Sequence, residues 1–338
     1  MLTSEKVKQY AKQLGADLVG ISPMSRFEGA PKHQDPRYIF PDAKSCIVLA
    51  FRIPRGLMRG IEEGTYFTAY TAMGYGGINQ IYSPIVMREL ACYIEDNGYE
   101  CAPVPNIYPC PNIPFETQKH DPGRSVPVAD GLPNPDILVD FRVAAYAAGL
   151  GEYGYSKVFL TPEFGPLQRF VVLLTDAELE PDPIFEGSIC DNCKLCARSC
   201  SGKAISMTET ESITIDGHTC TYAKLDWLRC SIAYRGGSEE YNPFLTSDAK
   251  LDECQETYCG RPQMDEWCGY PKLYGHNPAI EGARGCMREC YIHLEERGRL
   301  TKKFENKFRK HKPWCIDRSK LEDYEVKSKH RLIDGGGE

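Results

Sequence analysis

Apolar residues in this chain recur in two rhythms, one helical and one extended, and the rhythm divides it into elements. Residues 4–14 place Val7, Tyr10, Ala11 and Leu14 on one helical face, with Gly15 as the stop. A buried strand is expected at 17–21. After a proline-rich connection to Pro41 comes Cys46-Ile47-Val48-Leu49-Ala50-Phe51, too short for a helix and rich in β-branched residues, hence a central strand. Met87, Leu90, Ala91 and Ile94 share the spacing of a long helix that follows Tyr75-Gly76-Gly77 and ends near Asn97, with Gly98 as its C-cap. Residues 99–104 return as a strand, 138–148 as a helix of small residues ending at Gly149, and 169–175 as another central strand. Strand, helix and strand in this order predict an α/β (α+β) layer.

Residues 105–135 are dense in Pro, Gly and polar side chains, too irregular for elements and too long for a mere connector, so they are expected to line a site; His120 is one candidate pocket residue there. Gly149-Leu150-Gly151-Glu152-Tyr153-Gly154 permits close backbone approach to a ligand, but it lacks the strand and turn of a dinucleotide fingerprint. Pro181 and Pro183 mark the boundary to a cysteine-rich region.

The 338 residues suffice for two domains, and a net charge of −7 argues against nucleic acid as the main partner. Lys302, Lys303, Lys307, Arg309, Lys310 and Lys312 form a local exception, read as a solvated tail over an acidic surface in preference to a phosphate-binding patch. No apolar stretch approaches eighteen residues and the amino terminus has no apolar export core, so a soluble, cytoplasmic protein is expected.

Sixteen cysteines change the picture. Cys190, Cys193, Cys196 and Cys200 follow the spacing two-cluster ferredoxins use, in which three thiolates hold one cubane and the fourth ligates the other. A second set must then exist downstream, and Cys286-Met287-Arg288-Glu289-Cys290 repeats the three-residue gap. Zinc competes for CxxC pairs, but its modules usually pair two such units across a longer gap. Disulfides are disfavoured in a reducing cytosol. Cys46, Cys92 and Cys101, in apolar segments, are expected to act as small core hydrophobes.

Several stretches together resemble one superfamily, the cobalamin-dependent iron–sulfur reductases that include epoxyqueuosine reductase and the reductive dehalogenases. They are residues 14–21 (LGADLVGI), 40–48 (FPDAKSCIV), 148–151 (AGLG), 160–166 (LTPEFGP) and 174–176 (LTD), joined to the double-cluster cysteines. The resemblance implies a nitroreductase-like, cobalamin-binding domain (1–182), a ferredoxin-like domain with two 4Fe–4S clusters (183–300) and a basic tail (301–338). It implies cofactor contacts at Gly149, Gly151, Gly154, Thr161, Glu163 and Gly165. Cys190, Cys193, Cys196 and Cys290 would hold one cluster; Cys200, Cys220, Cys230 and Cys286 the other. Ala283 stands where relatives have a cysteine, so one ligand must come from elsewhere: Cys220 is preferred, with Cys254, Cys259 and Cys268 as rivals. Ser201 and Tyr291 replace the prolines usual after such motifs, which loosens the turn without removing a ligand.

The implied activity is a reductase passing low-potential electrons through two clusters to base-off cobalamin for work on a small organic substrate. Tyr146, Glu152 and Tyr153 are the foremost proton-donor candidates, with Tyr155 behind them and Lys157 or Arg169 as charge stabilisers. Asp136 and Asp140 stand near the position of the epoxyqueuosine enzymes' acid but out of register. The expected electron donor is a ferredoxin or flavodoxin. A flavin-dependent iron–sulfur reductase and a carrier protein with no substrate of its own remain alternatives.

Overall fold

The computed structural model describes residues 2–106, 126–135, 137–234, 238, 240–243 and 285–320. The strands β1 (Leu18–Pro23), β2 (Ser45–Arg52), β3 (Cys101–Val104) and β6 (Gln168–Thr175) form one antiparallel sheet in the order β1-β2-β6-β3. β2 and β6 pair from Ser45↔Thr175 to Arg52↔Gln168. Ile47, Leu49 and Phe51 face a layer made by α1 (Ser4–Leu14) and α3 (Ser83–Asp96), while Cys46, Val48 and Ala50 face α4 (Phe141–Ala147). Both faces of β2 are therefore buried, which is why it reads as an unbroken apolar run rather than an alternation. Cys46 and Cys101 are core residues, as the sequence predicts.

Local chemistry sets the helix ends. Thr3 caps α1 by accepting from the Lys6 amide, and Gly15 ends it at φ 115°, where only glycine is unstrained. Asp140 caps α4, its carboxylate accepting from the Arg142 and Val143 amides. The helix expected after Gly77 begins earlier: residues Tyr70–Tyr82 already wind as a π-helix that runs into α3. Glycines at 74, 76 and 77 break the helical apolar spacing, so the onset is not legible in the pattern. Gly74 lies close against Tyr70 and Ile53, where a Cβ would sit 3.1–3.2 Å from their side chains.

Two strand pairs flank the cysteine run at 190–200. β4 (Glu152–Tyr153) and β5 (Phe159–Leu160) pair as a short ribbon. β7 (Ile205–Ile215) and β8 (His218–Leu225) form a hairpin that the sequence reading passed over. The signal was present: Asp216-Gly217, with φ of 51° and 79°, is the two-residue turn whose twist matches paired strands.

The helix α5 (Leu195–Arg198) follows the cysteine run, α6 (Trp227–Tyr234) follows β8, and α7 (Cys286–Glu296) carries the last two cysteines. Met287, Tyr291, Ile292 and Leu294 of α7 belong to the same apolar cluster as α1, α3 and the sheet. The cysteine helix is thus anchored in the core of the amino-terminal part.

Residues 301–316 differ from the expected solvated tail. Phe308 is fully buried, the Arg59 guanidinium lies 4.3 Å from its ring centre, and the Trp314 indole donates to the Ile61 carbonyl. Arg309 pairs with Glu62 and Glu289 instead of facing water. The segment is a strap held by interleaved aromatic residues, while its lysines stay exposed. Among the described residues, no helix is long and apolar enough to cross a membrane.

Candidate functional site

The cysteine run turns tightly because Asn192 and Lys194 adopt left-handed backbone angles, φ 56° and 57°. Such angles cost a non-glycine residue free energy and persist where surrounding bonds enforce them. Here the Glu152 carboxylate accepts from the Ile189 and Cys190 amides at 2.6 and 2.7 Å, Asp191 accepts from the Cys193 amide, and Arg198 donates to the Cys193 carbonyl. The Tyr155 and Ala204 amides point at the Cys190 and Cys200 sulfurs, 3.3 and 3.4 Å away. Amide donors aimed at sulfur favour the thiolate form that a metal requires.

Cys286 and Cys290 lie one turn apart on α7 and so share a face. Burial pushes the Cys290 thiol well up, and the next strongest influences are Cys196 and Cys190, then Cys286 and Cys193. Burial likewise raises Cys286, whose neighbours are led by Cys230, followed by Cys196 and Cys200. Cys196 and Cys230 are each pushed up to about 11, mainly by burial. The influences overlap: Cys196 bears on both Cys286 and Cys290, Cys190 and Cys193 on Cys290, and Cys230 and Cys200 on Cys286, so these seven thiols converge around α7. Converging buried thiols of this kind suit metal–sulfur clusters, because binding a metal supplies the only large return for deprotonating them.

Cys220 does not join Cys200, Cys230 and Cys286. It sits on β8 with its thiol toward the Tyr153 carbonyl at 3.6 Å, beside Glu152 and Cys190. Strand alternation puts it on the face of Tyr222, whereas Ala223 and Leu225 face the cluster containing Cys200 and Cys286. Its rivals Cys254, Cys259 and Cys268, together with Ala283, lie outside the described residues, as do His120 and Asp136.

The expected proton donors are likewise placed elsewhere. Tyr146 and Tyr153 are 4 and 3 % exposed in an aromatic cluster with Phe159 and Tyr222, and burial raises Tyr146 to about 12 and Tyr153 well above the usual tyrosine value. Tyr155 donates to the Ser206 carbonyl. Glu152 is occupied with the backbone ahead of Cys190. Replacing it by alanine leaves two amides without an acceptor, and a loss of about 1–3 kcal/mol per group is expected, read as a lower denaturation midpoint together with reduced iron content.

The expected cofactor contacts serve the chain itself. A Cβ on Gly149 or Gly151 would lie 2.0 Å from the Pro183 or Leu160 carbonyl oxygen, and one on Gly154 would meet the Leu160 side chain. Buried Thr161 bonds Gln168 and accepts from the Phe164 amide, Gly165 packs on Leu294 and Leu300, and Glu163 borders a separate groove with Arg52 and Lys302.

A different set of residues lines a cavity of about 230 Å³ between the start of β6, α4 and α7. Arg142, Lys157 and Arg169 converge on it with Asp140, Tyr75 and Trp227. Arg142 donates to the Lys157 carbonyl; the Lys157 ammonium lies 5.4 Å from the Trp227 ring centre. Arg169 donates to the Gly74 carbonyl and to the Tyr70 hydroxyl, with Tyr75 stacked at 4.1 Å. Burial opposes its charge, but the surrounding tyrosines outweigh that and its pKa is raised. The cavity adjoins α7: Met287, the neighbour of Cys286 in the chain, forms part of its wall, and the Arg142 charge bears on Cys230 and Cys286. The space fits a small organic molecule.

No family model matches the chain. It is 32% identical over 164 residues to a tetrachloroethene reductive dehalogenase of Dehalobacter restrictus, covering 45% of this chain and 24% of that protein, so it spans about a quarter of that relative's length. It is 22% identical over 228 residues to epoxyqueuosine reductase of Bacillus subtilis, covering 60% and 51% of the two chains. Among solved structures, a catabolic reductive dehalogenase aligns with TM-score 0.49 and 18% identity over 86% of this chain and 37% of the other.

Proposed function

We propose that this chain, related in sequence to proteins named reductive dehalogenase and epoxyqueuosine reductase, is an iron–sulfur reductase that delivers single electrons through two 4Fe–4S clusters to the cavity beside α7. The supporting observation is the convergence of seven thiols around α7; the reading divides them into a first group, Cys290 with Cys190, Cys193 and Cys196, and a second, Cys286 with Cys200 and Cys230, the latter beside the cavity-wall residue Met287. The fourth ligand of the second cluster is assigned to one of Cys254, Cys259 and Cys268. When bound, the clusters supply low-potential electrons, at about −400 mV for ordinary examples.

The protein's own contribution lies in the cavity. Arg169 and Lys157 hold positive charge beside a reducing centre, where an anionic or electron-rich substrate gains it and developing negative charge is stabilised. The wall of Tyr75, Phe141, Phe159 and Trp227 excludes water and positions an organic ring. Cobalamin enters this reading from the sequence resemblance, and a flavin is the alternative acceptor. The substrate class is a small organic molecule with a reducible bond, an organohalide or an epoxide.

Anaerobic reconstitution is expected to give about eight irons per chain. Cys220→Ser should keep them, and serine at one of Cys254, Cys259 or Cys268 should lower the count to about four. Four irons in the parent chain, or loss at Cys220, would overturn the assignment. Titration with cobinamide and with flavin, followed by absorbance, identifies the acceptor; a corrin spectrum unchanged by the protein removes cobalamin.

A further inference from the structure

The basic strap has a use that its packing leaves unexplained. Phe308, Arg309 and Trp314 fix it to the body of the protein, yet six cations along it, Arg299, Lys302, Lys303, Lys307, Lys310 and Lys312, remain exposed. The five lysines take part in no ion pair among the described residues, and Glu305 is the single acidic residue between 299 and 312. In a chain of net charge −7, this is a strong local reversal of sign. Solvation alone does not require like charges to be held together by a buried phenylalanine and two half-buried anchors.

Position supplies the reason. The strap leaves α7 where His293 and Arg297 meet Asp191, at 2.8 and 3.6 Å, within the cysteine run. Cys193 lies near the surface there, with exposed Arg198 bonded to its carbonyl. Thr301 then ties the chain to the Pro162 carbonyl, so the strap's first cations, Arg299, Lys302 and Lys303, follow directly from the end of α7 whose His293 and Arg297 meet the cysteine run at Asp191. Cys286, by contrast, precedes the cavity-wall residue Met287.

We propose that this strip is the docking surface for an acidic one-electron carrier protein, which brings its redox centre to the first cluster. The proposal rests on the two-cluster reading above. In each encounter the carrier loses one electron and the first cluster gains one, with no bond made or broken. Electrostatic complementarity of this kind acts on the association rate and makes it salt-dependent.

The test compares the reconstituted parent with Arg299→Glu/Lys302→Glu/Lys303→Glu, none of which touches a cysteine or the cavity. Cluster bleaching is followed after mixing with a reduced acidic 2Fe–2S ferredoxin, and separately with dithionite. The variant should react at least about tenfold more slowly with the ferredoxin at low salt, converge on the parent near 1 M salt, where screening reaches about 3 Å, and match it with dithionite. Equal ferredoxin rates, or parent rates insensitive to salt, overturn the docking surface. An unchanged ferredoxin rate with lost retardation of an RNA stem-loop would assign the strip to nucleic acid and overturn the proposal too. Absence of bleaching by dithionite defeats the cluster reading itself, and the docking surface with it.

Discussion

Glu62→Leu should destabilise the protein by about 3–5 kcal/mol, the usual cost of stranding a buried charge by removing its partner. Glu62 and Arg288 are paired with side chains 4 and 1 % exposed, and Arg309 of the strap bridges Glu62 at 2.8 Å and Glu289 at 2.6 Å. One carboxylate thus holds together a short helix before the π-helical turn, the cysteine helix and the strap. Arg288 stands between Cys286 and Cys290, so its displacement should also lower iron content. Urea midpoints with iron analysis test this. The double variant Glu62→Leu/Arg288→Met removes both charges and should recover most of the stability, because a well-packed apolar pair often equals a buried ion pair. A single-variant loss below about 1 kcal/mol, the value of an exposed pair, would show that the network carries little.

Much of the scaffold was legible because its signals are local. β1, β2 and β6 announce themselves as apolar runs, α1 by its stripe and Gly15, and α4 by small residues ahead of Gly149. The four thiols from Cys190 to Cys200 carry their spacing on the surface of the sequence. What was not legible depends on non-local partners. That Glu152 would fasten the backbone of Cys190, or that Gly149 and Gly151 would be filled by the Pro183 and Leu160 carbonyls, follows only from how the ribbon folds onto the run. Of the three cavity cations, the sequence singles out Lys157 and Arg169 as charge stabilisers but not Arg142, because no spacing links α4 to the turn at Lys157 and to β6. Arg309 looked like its lysine neighbours because the carboxylates that claim it lie some 20 and 250 positions away. The face of Cys220 was recoverable: recognising Asp216-Gly217 as a hairpin turn fixes the alternation that turns its side chain away from Ala223.

The two cysteines of α7 should give different failures. Cys290→Ala removes a ligand from the group at the outer edge, so donor-driven bleaching and turnover are both expected to disappear, with about four irons retained. Cys286→Ala spares that edge. The first cluster should still accept an electron from the carrier at the parent rate, yet turnover should fall by more than the roughly 10- to 100-fold that loss of a partner behind a metal ligand costs, because the group nearest Met287 and Arg142 is broken. Stopped-flow bleaching read beside product formation separates the two. In the proposed relay the asymmetry follows from one helical turn: four residues separate Cys286, beside the cavity-wall residue Met287, from Cys290, and electrons entering at one must pass the other. If Cys286→Ala abolished bleaching while Cys290→Ala preserved it, the direction of the relay would be reversed, and the cavity beside α7 would be its entrance instead of its end.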